Sequence, residues 1–226
     1  MTLTKTLKTA AVAATVTTVS LVSATAAQAI SFTTSIADQT STVPGAINID
    51  LDTDTFPSLT GGALVTGSEP NQYKAPGTDS GSPIVGTYLT VGGSNPPAPS
   101  PATLNFGSTP LKFFGLYWGS IDSYNTISFL NAVGNEIASF TGTDIAQSLG
   151  LDPLTGNYNR DAYVNFFAHG PSDYFSQVQF ASTQAAFEAG NFAYEVIPTP
   201  ALLPGLIGLG VAALRRKNDE SAEENA

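Results

Sequence analysis

The chain has 226 residues, of which 42% are hydrophobic and only 12% charged, with 21 glycines and 15 prolines, a composition that suits one globular domain with terminal segments. The formal net charge is −10, and between Ile30 and Glu195 there are 14 acidic side chains against three basic ones, Lys74, Lys112 and Arg160, which argues against nucleic acid or an anionic lipid surface as partner. Cysteine is absent, so disulfides, thiolate metal sites, cysteine nucleophiles and a lipid-modified N-terminal cysteine are all excluded.

Residues 1–29 have the three parts of a secretory signal peptide: Lys5 and Lys8, an apolar run rich in Ala and Val from Ala10, and the small-residue site Ala27-Gln28-Ala29. Cutting by signal peptidase after Ala29 leaves Ile30 as the new N-terminus. A buried helix is the alternative, but β-branched Thr and Val are frequent and no polar face returns at helical spacing.

From Ile30 to about Pro101, short apolar runs alternate with Gly, Pro, Ser and Thr clusters, as in Gly62–Gly67 and Tyr88–Gly92, and these predict short strands joined by turns. Asn48, Asp50, Asp52 and Asp54 recur at every second position. On a strand they would share one face, where the cation that suits such donors is calcium. Thr55 and Gly61 stand where an EF-hand needs Gly and Glu, and four such groups spread over about 20 Å of strand cannot all reach one ion, so a solvated acidic face is the plainer reading. Asn95–Pro101 is a proline-rich surface connection.

Leu111–Trp118 predicts an aromatic-rich strand. Thr126–Phe129 and Glu136–Phe140, joined through Gly134-Asn135, predict a hairpin, and Asp144–Leu151 a short helix capped by Thr143 or Asp144. Ala162–Phe167, Ser176–Phe180 and Phe192–Val196 add three strands. Short strands at roughly ten-residue spacing predict an all-β domain over 30–196, an antiparallel β-sandwich of jelly-roll type.

Asp122 with Asn125 and Glu188 with Asn191 are carboxylate and amide pairs suited to calcium or sugar hydroxyls, and Tyr117, Trp118 and Tyr124 carry ring faces on which a sugar can stack. The structural alternatives are Trp118 as core filler, Asp122 as a turn cap and Glu188 as a surface charge. His169 is the only histidine, and neither a nucleophile elbow, a phosphate loop nor a dinucleotide fingerprint occurs, so the expectation is a non-enzymatic protein.

Val196–Leu214 carries no charge and is followed by Arg215-Arg216-Lys217. A bilayer-spanning helix needs roughly 17 to 25 apolar residues. The run is barely that long and its three prolines shorten it, so transient membrane insertion fits better than permanent anchoring, with the basic cluster on the cytoplasmic side. The order Pro198-Thr199-Pro200-Ala201, apolar Gly-containing stretch, Arg215-Arg216 resembles the PEP-CTERM sorting tail in its cyanobacterial Pro-Thr-Pro-Ala form, here with a longer acidic extension, Asn218–Ala226. The resemblance implies recognition by a membrane-embedded exosortase that cuts near the proline motif. Phe114–Asn125, with Trp118-Gly119-Ser120-Ile121-Asp122-Ser123-Tyr124-Asn125, and Ala186–Tyr194, with Phe187-Glu188 and Asn191, likewise resemble a group of exosortase-dependent cyanobacterial surface proteins across most of residues 31–196.

The reading is therefore an exported surface or extracellular-matrix protein with tail residues 197–226 as sorting signal. Its alternatives are a carbohydrate-binding module that tethers exopolysaccharide with help from calcium, and a secreted hydrolase built on an acid pair.

Overall fold

The computed structural model describes residues 29–53 and 57–197. Residues 1–28 of the expected signal peptide, with Ala27, the residue Asp54, and residues 198–226 of the expected sorting tail, with Pro198, Thr199, Pro200, Ala201, Arg215 and Arg216, lie outside the described residues. Among the described residues no helix is long and apolar enough to cross a membrane.

The described residues are all-β, with twelve strands and one short α-helix. In order they are β1 (Ile30–Ser35), β2 (Ile47–Asn48), β3 (Ser58–Thr60), β4 (Ala63–Val65), β5 (Tyr88–Val91), β6 (Ala102–Asn105), β7 (Leu111–Gly119), β8 (Asn125–Leu130), β9 (Glu136–Thr141), α1 (Gly142–Ser148), β10 (Ala162–Ala168), β11 (Gln177–Ser182) and β12 (Phe187–Val196). A seven-stranded sheet runs β1-β10-β7-β12-β5-β4 with β2 added beside β12, and a five-stranded sheet runs β3-β6-β11-β8-β9. All pairings are antiparallel.

One aromatic core joins the inner faces of the two sheets. Phe114, Phe166, Phe187 and Phe192 from the larger sheet meet Phe129, Phe140 and Phe180 from the smaller, with ring centroids 4.8 Å apart for Phe129–Phe166 and 5.5 Å for Phe180–Phe187. Ring pairs at such distances and tilts are worth about 0.5–1.5 kcal/mol each beyond the area that they bury. The expected hairpin forms as β8–β9, and its tip is closed by Asn131, whose Oδ1 accepts from the N–H of Val133 (3.1 Å) and of Asn135 (3.0 Å).

The helix starts two residues before the span expected from the sequence. Thr141 caps it, and Asp144 is the third residue of a capping box: the Thr141 N–H donates to Asp144 Oδ2 at 2.7 Å, and the Thr141 hydroxyl accepts from the Asp144 N–H. Gly142, the first helical residue, is buried.

The outer face of the larger sheet is where the fold prepares a site. Residues 36–46 and 66–87 lie across it. Gln39 O accepts from Asn191 Nδ2 (2.8 Å), while Ser80 N–H donates to Asp161 Oδ2 (2.8 Å) and the Ser80 and Tyr117 hydroxyls are 3.2 Å apart. A second small core of Val65, Ala75 and Tyr88, backed by Tyr73 and Ile84, sits beneath the longer segment. Side chains of β5, β7 and β12 that point away from the main core, such as Tyr88, Tyr117 and Glu188, are therefore covered as well.

The alternating acidic strand expected around Asp50 does not form. β2 ends at Asn48, because the Asp50 side chain accepts from the Asp52 N–H (2.9 Å) and the Thr53 hydroxyl (2.6 Å) and so closes a turn on its own backbone. Asp52 turns elsewhere, to the backbone N–H of Thr87 at 3.1 Å. The two carboxylates thus close a turn and tie a loop instead of lining one face for a cation.

Candidate functional site

β12 carries a bulge that sets which side chains face outward. Phe187 and Ala189 point into the main core; the register against β7 then shifts between Gly190 and Ala193, and Phe192 resumes the inward phase. Asn191, at the shift, has a φ of 48°, a left-handed backbone that Asn tolerates better than most residues. Glu188 therefore projects from the outer face, opposite Thr90 of β5 and Gly119 of β7.

Asp122 reaches the same place from the turn after β7. Residues 121–125 are held by backbone bonds to the neighbouring loop, Ile121 N–H to Arg160 O (2.9 Å), Ser123 N–H to Gly156 O (2.7 Å) and Tyr158 N–H to Ile121 O (3.2 Å). A further pair of backbone donors fixes the approach: Ser120 N–H and Ser80 N–H bond the two oxygens of the buried Asp161, which fastens the 66–87 segment to the end of β7.

Asp122, Tyr124 and Glu188 line one open cavity of about 500 Å³, together with Gln72, Tyr73 and Lys74. The Tyr124 hydroxyl donates to Asp122 Oδ2 at 2.6 Å, and the Lys74 N–H donates to Glu188 Oε1 at 2.8 Å. Lys74 Nζ is turned to Asp79 Oδ1 at 2.7 Å, and Asp79 in turn accepts from the Ser120 hydroxyl. Both Asp122 and Glu188 are 3% exposed, and each keeps one oxygen, Asp122 Oδ1 and Glu188 Oε2, buried with no hydrogen-bond partner.

Burial pushes the Asp122 carboxyl above its usual range, against the Tyr124 hydrogen bond, which acts the other way. Glu188 is held well above the ordinary glutamate value, first by burial and further by the negative charge of Asp122. Tyr124 is driven up by burial and by its bond to Asp122, so it remains a donor at neutral pH. Two buried acids, the one raising the other's cost of ionisation, with an unsatisfied oxygen on each, stand out among the described residues as a candidate site.

The other residues singled out in the sequence separate from this cluster. Trp118 is 0% exposed and stacked on Phe187, so the expected sugar-stacking platform is a core residue; β7 alternates its side chains, and the indole falls on the inward phase with Phe114 and Leu116. Tyr117 is buried too, under the 66–87 segment. Asn125 is wholly buried and acts as a brace, donating to Ala186 O (3.3 Å) and accepting from the Ser182 hydroxyl (2.8 Å). Asn191 is bound to Gln39, away from the cavity lining. The pairing that matters joins Asp122 to Glu188, not each acid to the amide three residues on. Ala29 precedes β1, with its carbonyl 3.4 Å from the His169 N–H, and His169 is exposed.

Gln72, Tyr73, Lys74 and Asp79 were not signalled by the sequence, since their place depends on where a turn-rich segment folds back. No family model matches the chain, and neither a curated protein nor a solved structure matches it.

Proposed function

We propose that this chain is an exported, non-enzymatic surface or extracellular-matrix protein, sorted by an exosortase through its C-terminal tail, whose jelly-roll-like sandwich binds the hydroxyl groups of an exopolysaccharide in the Asp122–Tyr124–Glu188 cleft. The cleft carries the reading. Asp122 and Glu188, each with a buried oxygen that has no partner, and Tyr124 line an open cavity with Gln72 and Tyr73, and sugar hydroxyls, which donate and accept, complement that set. A buried acceptor left unpaired costs about 1–3 kcal/mol, which a hydroxyl donor removes. The signal peptide is read from its three-part residue pattern and the sorting tail from a sequence resemblance, and both support binding outside the cell, where matrix polysaccharide is found.

Polysaccharide pull-down and glycan-array binding test the cleft. Wild-type protein binds, Tyr124→Phe weakens binding while keeping the fold, and Asp122→Asn abolishes it; absence of binding to any polysaccharide sinks this part. Intact-mass measurement of surface-released protein tests the rest, because a product that retains Arg215 contradicts exosortase processing.

A further inference from the structure

We propose that Asp122 and Glu188 together hold a divalent cation, calcium, between Asp122 Oδ1 and Glu188 Oε2. The inference deepens the cleft reading and depends on it only for the location, because ion binding is measured without any saccharide.

The geometry of donors argues for it. Each carboxyl has one oxygen fixed by the protein, Asp122 Oδ2 by the Tyr124 hydroxyl (2.6 Å) and Glu188 Oε1 by the Lys74 N–H (2.8 Å). These bonds orient the groups from behind and leave the second oxygen of each buried and unpartnered. The basic side chain that lines the cavity is already committed, since Lys74 Nζ pairs with Asp79 at 2.7 Å. Buried carboxyls are protonated, paired or bound to metal, and this pair has no ammonium or guanidinium bonded to it, so a cation that displaces the proton has two acceptor oxygens to take.

The chemical class follows from the donor atoms. Histidine and cysteine take no part, so the site is all oxygen and selects a hard ion. Among the described residues no three His, Cys, Asp or Glu side chains converge, so two carboxylates supply the charge, and backbone carbonyls, hydroxyls and water complete the six to eight oxygens that calcium takes. Magnesium demands near-ideal octahedral geometry, for which a strand residue and a turn residue joined across an open cleft are poorly matched. With two charges the affinity belongs to the extracellular class, on the order of 10⁻⁴ to 10⁻³ M.

The test uses full-length protein stripped with chelator and titrated with calcium alone. Thermal unfolding is expected to rise saturably with calcium. Terbium is expected to give luminescence sensitised through the Tyr124 ring and competed away by calcium. Glu188→Gln and Asp122→Asn, both close in shape to the parent residues, each lose most of the response, whereas Glu136→Gln, at an exposed acid on the hairpin, retains it. A wild-type protein that shows no calcium-dependent shift up to about 10 mM, ten times the weak end of that range, overturns the proposal. So does a response that survives in both carboxyl variants, and so does a larger shift with magnesium than with calcium. Polysaccharide binding that persists in chelator, without a calcium response, removes the ion and leaves the saccharide reading standing; calcium binding with no polysaccharide binding does the reverse.

Discussion

The indole of Trp118 lies flat on the ring of Phe187, with centroids 4.3 Å apart and planes 18° from parallel. The contact joins β7 to β12 one residue below Glu188, so the core and the cleft share a wall. Trp118→Ala opens a cavity in a close-packed interior and is expected to cost about 3–5 kcal/mol in urea unfolding followed by circular dichroism. Trp118→Phe is expected to cost under about 1.5 kcal/mol, because it preserves a ring on Phe187 and removes an indole N–H that is buried without a partner. Both variants, where folded, keep the cleft; loss of polysaccharide binding in a stable Trp118→Phe protein would return the indole to the binding surface.

Glu188 makes stability depend on pH in an unusual direction for a carboxylate. Its folded pKa lies well above the ordinary value of 4.5, so the folded state holds a proton that the unfolded chain releases. The contribution is therefore full below about 4.5 and is lost as pH rises through the folded pKa. In chelator, wild-type stability should fall as pH rises above about 4.5 more steeply than that of Glu188→Gln, whose amide keeps the bond from Lys74 N–H and carries no titrating proton. Parallel curves for the two proteins would show that Glu188 titrates normally.

Much of the sheet framework is legible in the residues, and the reasons are local. Leu111–Trp118 and Tyr88–Gly92 are β-rich runs bounded by turn residues, and β7 and β5 occupy them. β3 and β6 carry weak signals, three and four residues long, and exist through pairing with each other and with β11. Phase was the harder problem. Alternation places Glu188 opposite Phe187, and an outward acid on a strand reads as a surface charge; only the fold of residues 66–87 over that face makes it buried. The same long-range covering turns Tyr117 and Tyr88 from outward side chains into buried ones. Asp50 failed in the opposite way, because a period of two was present but the side chain's bond to its own backbone outweighed it.

Gly142 keeps Asp122 in place through contact with its backbone. A methyl group on Gly142 would lie 2.0 Å from the Asp122 carbonyl oxygen and 2.7 Å from its carbon, and neither is the free end of a flexible side chain. Gly142→Ala must therefore displace the turn that presents Asp122, at an expected cost of about 1–3 kcal/mol. Calcium-dependent stabilisation and polysaccharide binding should weaken with it, even though residue 142 lines no part of the cavity. Gly150→Ala tests the generality, since nothing stands within 4 Å of the new methyl there and the cost is backbone strain at a φ of 73°. A Gly142→Ala protein with unchanged calcium response would separate helix α1 from the site.

Tyr88 and Tyr163, along with Tyr124 of the cleft, make the fold sensitive to alkaline pH. Their hydroxyls donate to backbone carbonyls, Tyr88 to Gly67 (2.6 Å) and Tyr163 to Asn191 (3.1 Å), and burial raises both pKa values above the ordinary 10.0. The folded protein keeps protons that the unfolded chain gives up, so this contribution is complete below about pH 10 and is lost as pH rises toward the folded values. Spectrophotometric titration should show Tyr88 and Tyr163 ionising only together with the loss of the circular dichroism signal. Tyr163→Phe removes one proton from that linkage, so the slope of unfolding free energy above pH 10 should shrink by about 1.4 kcal/mol per pH unit while stability at pH 7 falls through the lost bond to Asn191. Reversible ionisation of all eight tyrosines near pH 10 in protein that stays folded would contradict the burial of both rings under the two covering segments.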